Sequence, residues 1–300
     1  MTAPRQVLPG STYLLTRRCA HRQLLLRPST LVNQIFLYCF ARAAERTGVL
    51  LHALVVMGNH VHAVLTDPDG RLPEFTHWLF EYTAKCRNAS LGRWENLWSS
   101  ESPSEVRLES IHDVLDKILY VMANPTKAAL VPKASEWPGV VSLPGDFLRG
   151  PVEVDRPAVF FRELGPTPKR VKLELVPPAG IEEETVEEFV EMLADELELR
   201  EADIRLQHKA EGRPIMGRRA VLEQDPFAYP EGMEPRRNLN PRVAAKNKWQ
   251  RIEALGRMKE FLRAYAEALA SFLEGKREVV FPAGTYWMVR YAGAVAAAPG

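Results

Sequence analysis

Three cysteines in 300 residues, Cys19, Cys39 and Cys86, are too few and too scattered for a disulfide framework. None of the paired spacings of a structural zinc site is present, and such sparse thiols suit a reducing cytoplasm. Long apolar runs are also missing. No stretch reaches the roughly 20 residues of a spanning helix, and Met1 to Ser11 lacks the apolar core of a secretion signal, so no membrane partner is expected. Charge of one sign is lacking too: the net charge is +1, so any nucleic-acid partner must be met by local patches. Internal repeats and low-complexity tracts are absent. What is present, 46% hydrophobic and 26% charged residues, is the composition of a globular chain with room for one large domain or two smaller ones.

The first half alternates strand and helix signals. Tyr13 to Arg17 reads as a strand. Ser29 to Arg46 reads as a helix capped by Ser29 and closed by Gly48, with Leu31, Ile35, Leu37 and Phe40 as its apolar positions. Val49 to Met57 and His60 to Thr66 read as strands joined by a tight Gly58-Asn59 turn. A second helix is expected over Leu72 to Leu91, a strand over Glu105 to Glu109, and a third helix over Ser110 to Ala123, stopped by Pro125. This order predicts an α+β unit, a ferredoxin-like antiparallel sheet with helices on one face. Residues 151–180 read as a Pro/Gly-rich linker. Residues 181–300 read as a mainly helical, partly basic extension, with helices over Ile181 to Leu199 and Pro241 to Glu274.

His60 and His62 stand out. Side chains alternate along a strand, so both imidazoles leave the same face while Val61 and Ala63 leave the other. Two imidazoles converging beside a rigid sheet make a start to a divalent-metal site, although on spacing alone a surface or packing role is the commoner outcome.

Several segments, in order, then resemble one family. Asn59-His60-Val61-His62 resembles the histidine–hydrophobic–histidine motif of single-tyrosine transposases, and Gly92-Arg93-Trp94-Glu95-Asn96-Leu97-Trp98 resembles their glycine–tryptophan segment. Tyr120 to Val131, containing Asn124-Pro125, resembles the tyrosine–asparagine–proline block that ends their catalytic domain, and Trp137-Pro138 the short tail after it. The resemblance, to the REP-associated tyrosine transposases, spans about residues 10 to 142 and assigns residues 1–150 as the catalytic domain. It implies a divalent metal, Mg or Mn, held by the two histidines, and a tyrosine that attacks single-stranded or hairpin DNA to leave a 5′-phosphotyrosine. A phenol, with a pKa near about 10, needs such help. It also implies a possible homodimer.

On these expectations the nucleophile is Tyr82, the only tyrosine on the second helix, in a stripe with Leu72, Phe75, Leu79 and Cys86. The same stripe also describes a plain core residue. Counting back from Asn88 and Trp98, the family's tyrosine falls nearer Thr83. Asn88 is the third metal ligand by resemblance, since a Cys86 thiolate suits a hard ion poorly. Tyr120 reads as a packing residue of the third helix. Trp94 and Trp98 are candidates for stacking on unpaired bases, or for closing the core. Arg93, Arg236, Arg237, Arg242, Lys246 and Lys248 are candidates for phosphate contacts. A DNA-hairpin-binding protein that does not cleave, and a metal-dependent hydrolase, are the alternatives.

Overall fold

In the computed structural model, which describes residues 4–181, 185–229 and 241–299, the chain begins with β1 (Ser11–Arg18), α1 (Thr30–Thr47), β2 (Leu50–Val56), β3 (His60–Asp67), α2 (Leu72–Leu91) and β4 (Ser104–Leu108). The four strands pair antiparallel in the order β2-β3-β1-β4, which is the ferredoxin-like arrangement. Local signals set the boundaries. Ser29 accepts a hydrogen bond from the Val32 N–H at the start of α1, and Gly48, at φ 75°, ends it in the left-handed conformation that glycine adopts without a Cβ penalty. Asp67, fully buried at the end of β3, accepts from the N–H groups of Arg71 and Leu72 and so anchors the start of α2.

Alternation along β3 divides the molecule in two. Val61, Ala63 and Leu65 face α1 and α2 and share a core with Leu15, Phe36, Phe40, Phe75 and Leu79. Val64, on the same face as His60 and His62, packs instead with Ala53 and Val55 of β2, with Met57 just after it, and with the next helix, α3 (Ile111–Met122). Alternation along β2 supplies both cores, Leu54 and Val56 to the first and Ala53 and Val55 to the second, and a register irregularity between Leu51 and Ala53 puts Leu51 with the first. Helices therefore cover both faces: the two expected ones on one side, and α3 on the other.

α3 ends at Met122, and Pro125 does not end it but sits in the first turn of a short helix, α4 (Asn124–Lys127). There the missing N–H of proline costs nothing. The expected linker at 151–180 is ordered: β5 (Val152–Asp155) and β6 (Arg170–Leu173) form an antiparallel hairpin whose Val154, Val171 and Leu173 join the α1 side of the core. The flanking prolines and glycines hide these strands, only four residues each, from a composition reading.

In the extension, α5 (Val186–Ala210) lays Phe189, Val190, Leu193 and Leu197 against α3, the face its periodicity predicts. α6 (Arg218–Glu223) follows. β7 (Val243–Ala244) then pairs parallel with β4 and makes the sheet five-stranded and mixed. α7 (Lys248–Leu273) starts later than Pro241 because Val243 and Ala244 are taken up by β7 and Asn247 caps the helix, accepting from the Trp249 and Gln250 N–H groups. Among the described residues, no helix is long and apolar enough to cross a membrane.

Candidate active site

His60 and His62 open β3 on the α3 side of the sheet, with ring centroids 4.8 Å apart and planes at 81°. Their neighbours fix the imidazoles. Asn59 donates its amide N–H to the Arg22 carbonyl at 3.1 Å, which turns its Oδ1 to Nδ1 of His60 at 2.6 Å. An amide oxygen only accepts, so Nδ1 of His60 carries the proton and Nε2 keeps its lone pair. The Thr16 hydroxyl, directly across the ladder on β1, engages Nδ1 of His62 at 2.7 Å. The Arg22 carbonyl is set by an unusual piece of backbone, with His21 (φ 52°) and Arg22 (φ 61°) both left-handed, a conformation that costs non-glycine residues about 1 kcal/mol or more each.

The phenol ring beside these imidazoles belongs to α3. The Tyr120 ring centroid lies 5.4 Å from that of His62 at 72°. Asn124, four residues on and buried, places its side-chain amide beside His60, where it favours the protonated ring. Ala123 between α3 and α4 stays right-handed helical, so the i, i+4 relation of Tyr120 and Asn124 survives the junction. Lys127 sits 4.8 Å and Lys117 5.8 Å from the Tyr120 ring centroid. Burial, together with the charges of Arg18 and Arg22, pushes the His60 pKa down to about 4. Burial, then His60, Arg18 and Lys127, holds His62 well below the ordinary histidine range. Both rings are thus neutral near pH 7, in surroundings whose charges are positive.

The structure separates the expected nucleophile from this cluster. Tyr82 lies on α2, across the sheet, stacked on Trp78 (4.4 Å, 20°) and on Phe161 (5.8 Å, 3°). Its inward stripe does point at the sheet, but at the Val61 face and not the His60 face. Asn88, also on α2, donates to the Glu95 carbonyl at 2.7 Å and caps the turn after the helix. The tyrosine and asparagine that do meet the histidines, Tyr120 and Asn124, lie in the tyrosine–asparagine–proline block, so Tyr120 is more than the packing residue its helix position suggests, and Asn124 is a residue that the sequence does not single out.

Of the residues expected to touch DNA, Trp98 is buried, donates Nε1–H to the Phe80 carbonyl and packs edge-on to Phe36 and Phe80, so it closes the core. Trp94 is 97% exposed. Arg93 pairs with Glu95 at 3.3 Å and lies over Phe227. Arg242 donates to the Pro4 carbonyl at 2.6 Å. Lys246 pairs with Asp116 at 2.9 Å, and Lys248 is exposed at the start of α7. Arg236 and Arg237 lie outside the described residues.

The donor set can be tested against a divalent ion. No group of three or more His, Cys, Asp or Glu side chains gathers among the described residues. What converges is two imidazoles with their Nδ1 atoms engaged elsewhere and one buried amide. The amide oxygen suits a hard ion such as Mn²⁺ or Mg²⁺, and the imidazole nitrogens favour the softer of the two, Mn²⁺. With no carboxylate, the set leaves the ion's charge for a phosphate to balance, so the residues fit.

The buried histidines also set a pH dependence of folding. His52, buried with Nδ1 on the Val176 carbonyl at 2.7 Å, has its pKa lowered by desolvation, as His60 and His62 have. In the unfolded chain each protonates near about 6.5, while the native state takes up protons only at lower pH. Below about pH 6.5 the unfolded state therefore binds more protons, and stability falls by up to about 1.4 kcal/mol per pH unit for each ring. Above that pH these groups contribute no slope. Urea denaturation at about pH 7.5 and about pH 5 checks this, and equal midpoints would show that the rings are not held neutral.

No family model and no curated protein matches the chain. Two solved transposase structures are similar to part of it. One, of a REP-associated tyrosine transposase bound to a REP hairpin, shares 21% identity, covers 48% of this chain and 84% of its own, and has a TM-score of 0.41. The other, a crystal structure from Deinococcus radiodurans described as a transposase, shares 23% identity, covers 40% of this chain and 95% of its own, and has a TM-score of 0.29.

Proposed function

We propose that this chain cuts and rejoins single-stranded DNA at hairpin ends, as a transposase whose nucleophile is Tyr120 and whose metal ligands are His60, His62 and Asn124. The observation that carries the reading is the meeting of two neutral imidazoles, a buried amide and a phenol in one cationic cluster. Its residues come from the segments whose sequence resembles the transposase motifs. The register offset at Tyr82, which favoured a protein that does not cleave, loses its force once the phenol beside the histidines is Tyr120.

A divalent ion bound there would act as a Lewis acid on the phosphoryl oxygens of the scissile phosphate. Each remaining task falls to the chain. Arg18 and Lys127 draw the phosphodiester to the cluster by charge. The Tyr120 oxygen attacks phosphorus and gives up its proton to solvent. The bond to the 3′-oxygen breaks, that oxygen leaves as a hydroxyl after taking a proton, and the phosphate stays on Tyr120 as a 5′-phosphotyrosine. Because the ester bond is conserved, a DNA 3′-hydroxyl can reverse the reaction without a nucleotide cofactor.

Incubating the full chain with a labelled hairpin oligonucleotide and Mn²⁺ tests this directly. The expected product is a covalent protein–DNA band that resists denaturation and disappears when EDTA is added beforehand. Binding without such a band would overturn strand transfer. Hydrolysis of the oligonucleotide with no protein-linked intermediate would favour a metal-dependent hydrolase.

A further inference from the structure

A cleft of about 670 Å³ lies on the opposite side of the sheet from the histidines, between α2, the N-terminal arm at Arg5, the loop before β4, and Trp287 near the end of the chain. Its size suits a small ligand. Its walls combine aromatic surface from Phe80, Trp98 and Trp287 with the cations Arg5, Arg17 and Lys85. Two of these cations are already matched: Arg5 pairs with Glu105, and Lys85 with Glu81.

Arg17 is different. It donates to the carbonyls of Ser99 and Glu101 and lies over the Phe80 ring, but it forms no ion pair among the described residues. Its Nε is buried with no hydrogen-bond partner. A guanidinium partly withdrawn from water, with Arg5 and the Glu105 carboxylate that Arg5 pairs both close by, leaves the group one positive charge in excess, which an anion would balance. At the rim, Trp287 is 54% exposed and stacked on Tyr291 at 5.1 Å and 18°, with Tyr286 edge-on at 5.5 Å. A stacked aromatic platform in a cleft with one cation more than its carboxylates fits a planar ring that carries a single negative charge.

Consecutive residues of β1 link this cleft to the candidate active site. Arg18 is paired across the ladder with His60 and acts on the histidines, while Arg17 leaves the other face into the cleft. We propose that the cleft binds one nucleotide of single-stranded DNA, with its phosphate at Arg17 and its base against Trp287, holding the strand that passes round the end of β1 from the histidine cluster. The identity of that strand rests on the DNA reading above; the chemistry of the cleft does not.

Fluorescence anisotropy of a labelled single-stranded oligothymidylate, titrated with the full chain and with Arg17→Gln and Trp287→Ala, tests the site. Each substitution is expected to weaken binding about tenfold. Arg17→Gln should also reduce the slope of log affinity against log salt by about 0.7, the share of one phosphate, whereas Trp287→Ala should leave the slope unchanged. Trp287 is exposed, so its variant remains informative if Arg17→Gln fails to fold. Wild-type affinity in Trp287→Ala overturns the proposal, and so does an oligothymidylate that the wild type does not bind. So too does a change in sedimenting mass on Trp287→Ala without a change in affinity, which would mark the platform as a contact between copies. Losses in both variants from a wild type that makes no covalent adduct would support the cleft and remove the transposase reading. An adduct with unchanged affinities would do the reverse.

Discussion

Tyr120→Phe is expected to abolish the covalent DNA adduct, by about 10³-fold or more, while Tyr82→Phe leaves it intact. Both changes remove only a hydroxyl, and both rings keep their packing, so neither should shift stability by more than about 0.5 kcal/mol. The contrast comes from the sheet between them. The Tyr120 ring lies 5.4 Å from His62, with Lys127 4.8 Å from the Tyr120 ring centroid. The Tyr82 ring stacks on Trp78 and Phe161 on the face that holds Val61 and Ala63. A phosphate held by His60 and His62 can be reached from α3 and not from α2. Binding of the hairpin should persist in Tyr120→Phe, since phosphate contacts and not the nucleophile carry the affinity. An adduct that survives in Tyr120→Phe and is lost in Tyr82→Phe would move the chemistry to the other face and would require the histidines to be structural.

The histidine pair, the strand that carries it and the caps of the first helix were all legible, because period-2 alternation, Ser29 and Gly48 are local signals that tertiary contacts did not override. Choosing the tyrosine required knowing which face of β3 each helix covers. That information was partly present: Val61, Ala63 and Leu65 are more apolar than His60, His62 and Thr66, so the helices flanking β2 and β3 should bury the odd-numbered face. A helix after β4 then has only the histidine face to cover, and its Tyr120–Asn124 spacing puts two polar groups on one side. The hairpin at 152–173 and the two-residue β7 could not be read. Each is too short for periodicity to register, and each is held by partners, α1 and β4, that lie far away in sequence. Glu201 was illegible for another reason: the expected helix stops at Leu199, whereas α5 runs on to Ala210 and carries Glu201 with it.

That acid carries the second large effect. Glu201→Ala is expected to destabilise the fold by about 2–4 kcal/mol, because it strips the acceptor from two buried donors at once. Glu201 is only 4% exposed, and its Oε1 accepts from the Thr126 hydroxyl at 2.9 Å and from the Ala134 N–H at 2.5 Å. Two helical turns further along α5, Nε2 of His208 donates to the Thr126 carbonyl at 3.1 Å. The extension therefore clamps Thr126 from both its hydroxyl and its carbonyl, two residues beyond Asn124. Glu201→Gln retains one carbonyl oxygen for the same donors and should lose about half as much. Glu198→Ala, on the same helix, removes an exposed pair with Lys133 at 3.2 Å and should fall within about 0.5 kcal/mol of wild type. Urea titrations of the three variants give the comparison, and equal midpoints for Glu201→Ala and Glu198→Ala would refute the clamp. If it holds, adduct formation by Glu201→Ala should drop even where the protein remains folded, because Asn124, whose amide lies beside His60, sits on the turn that α5 secures.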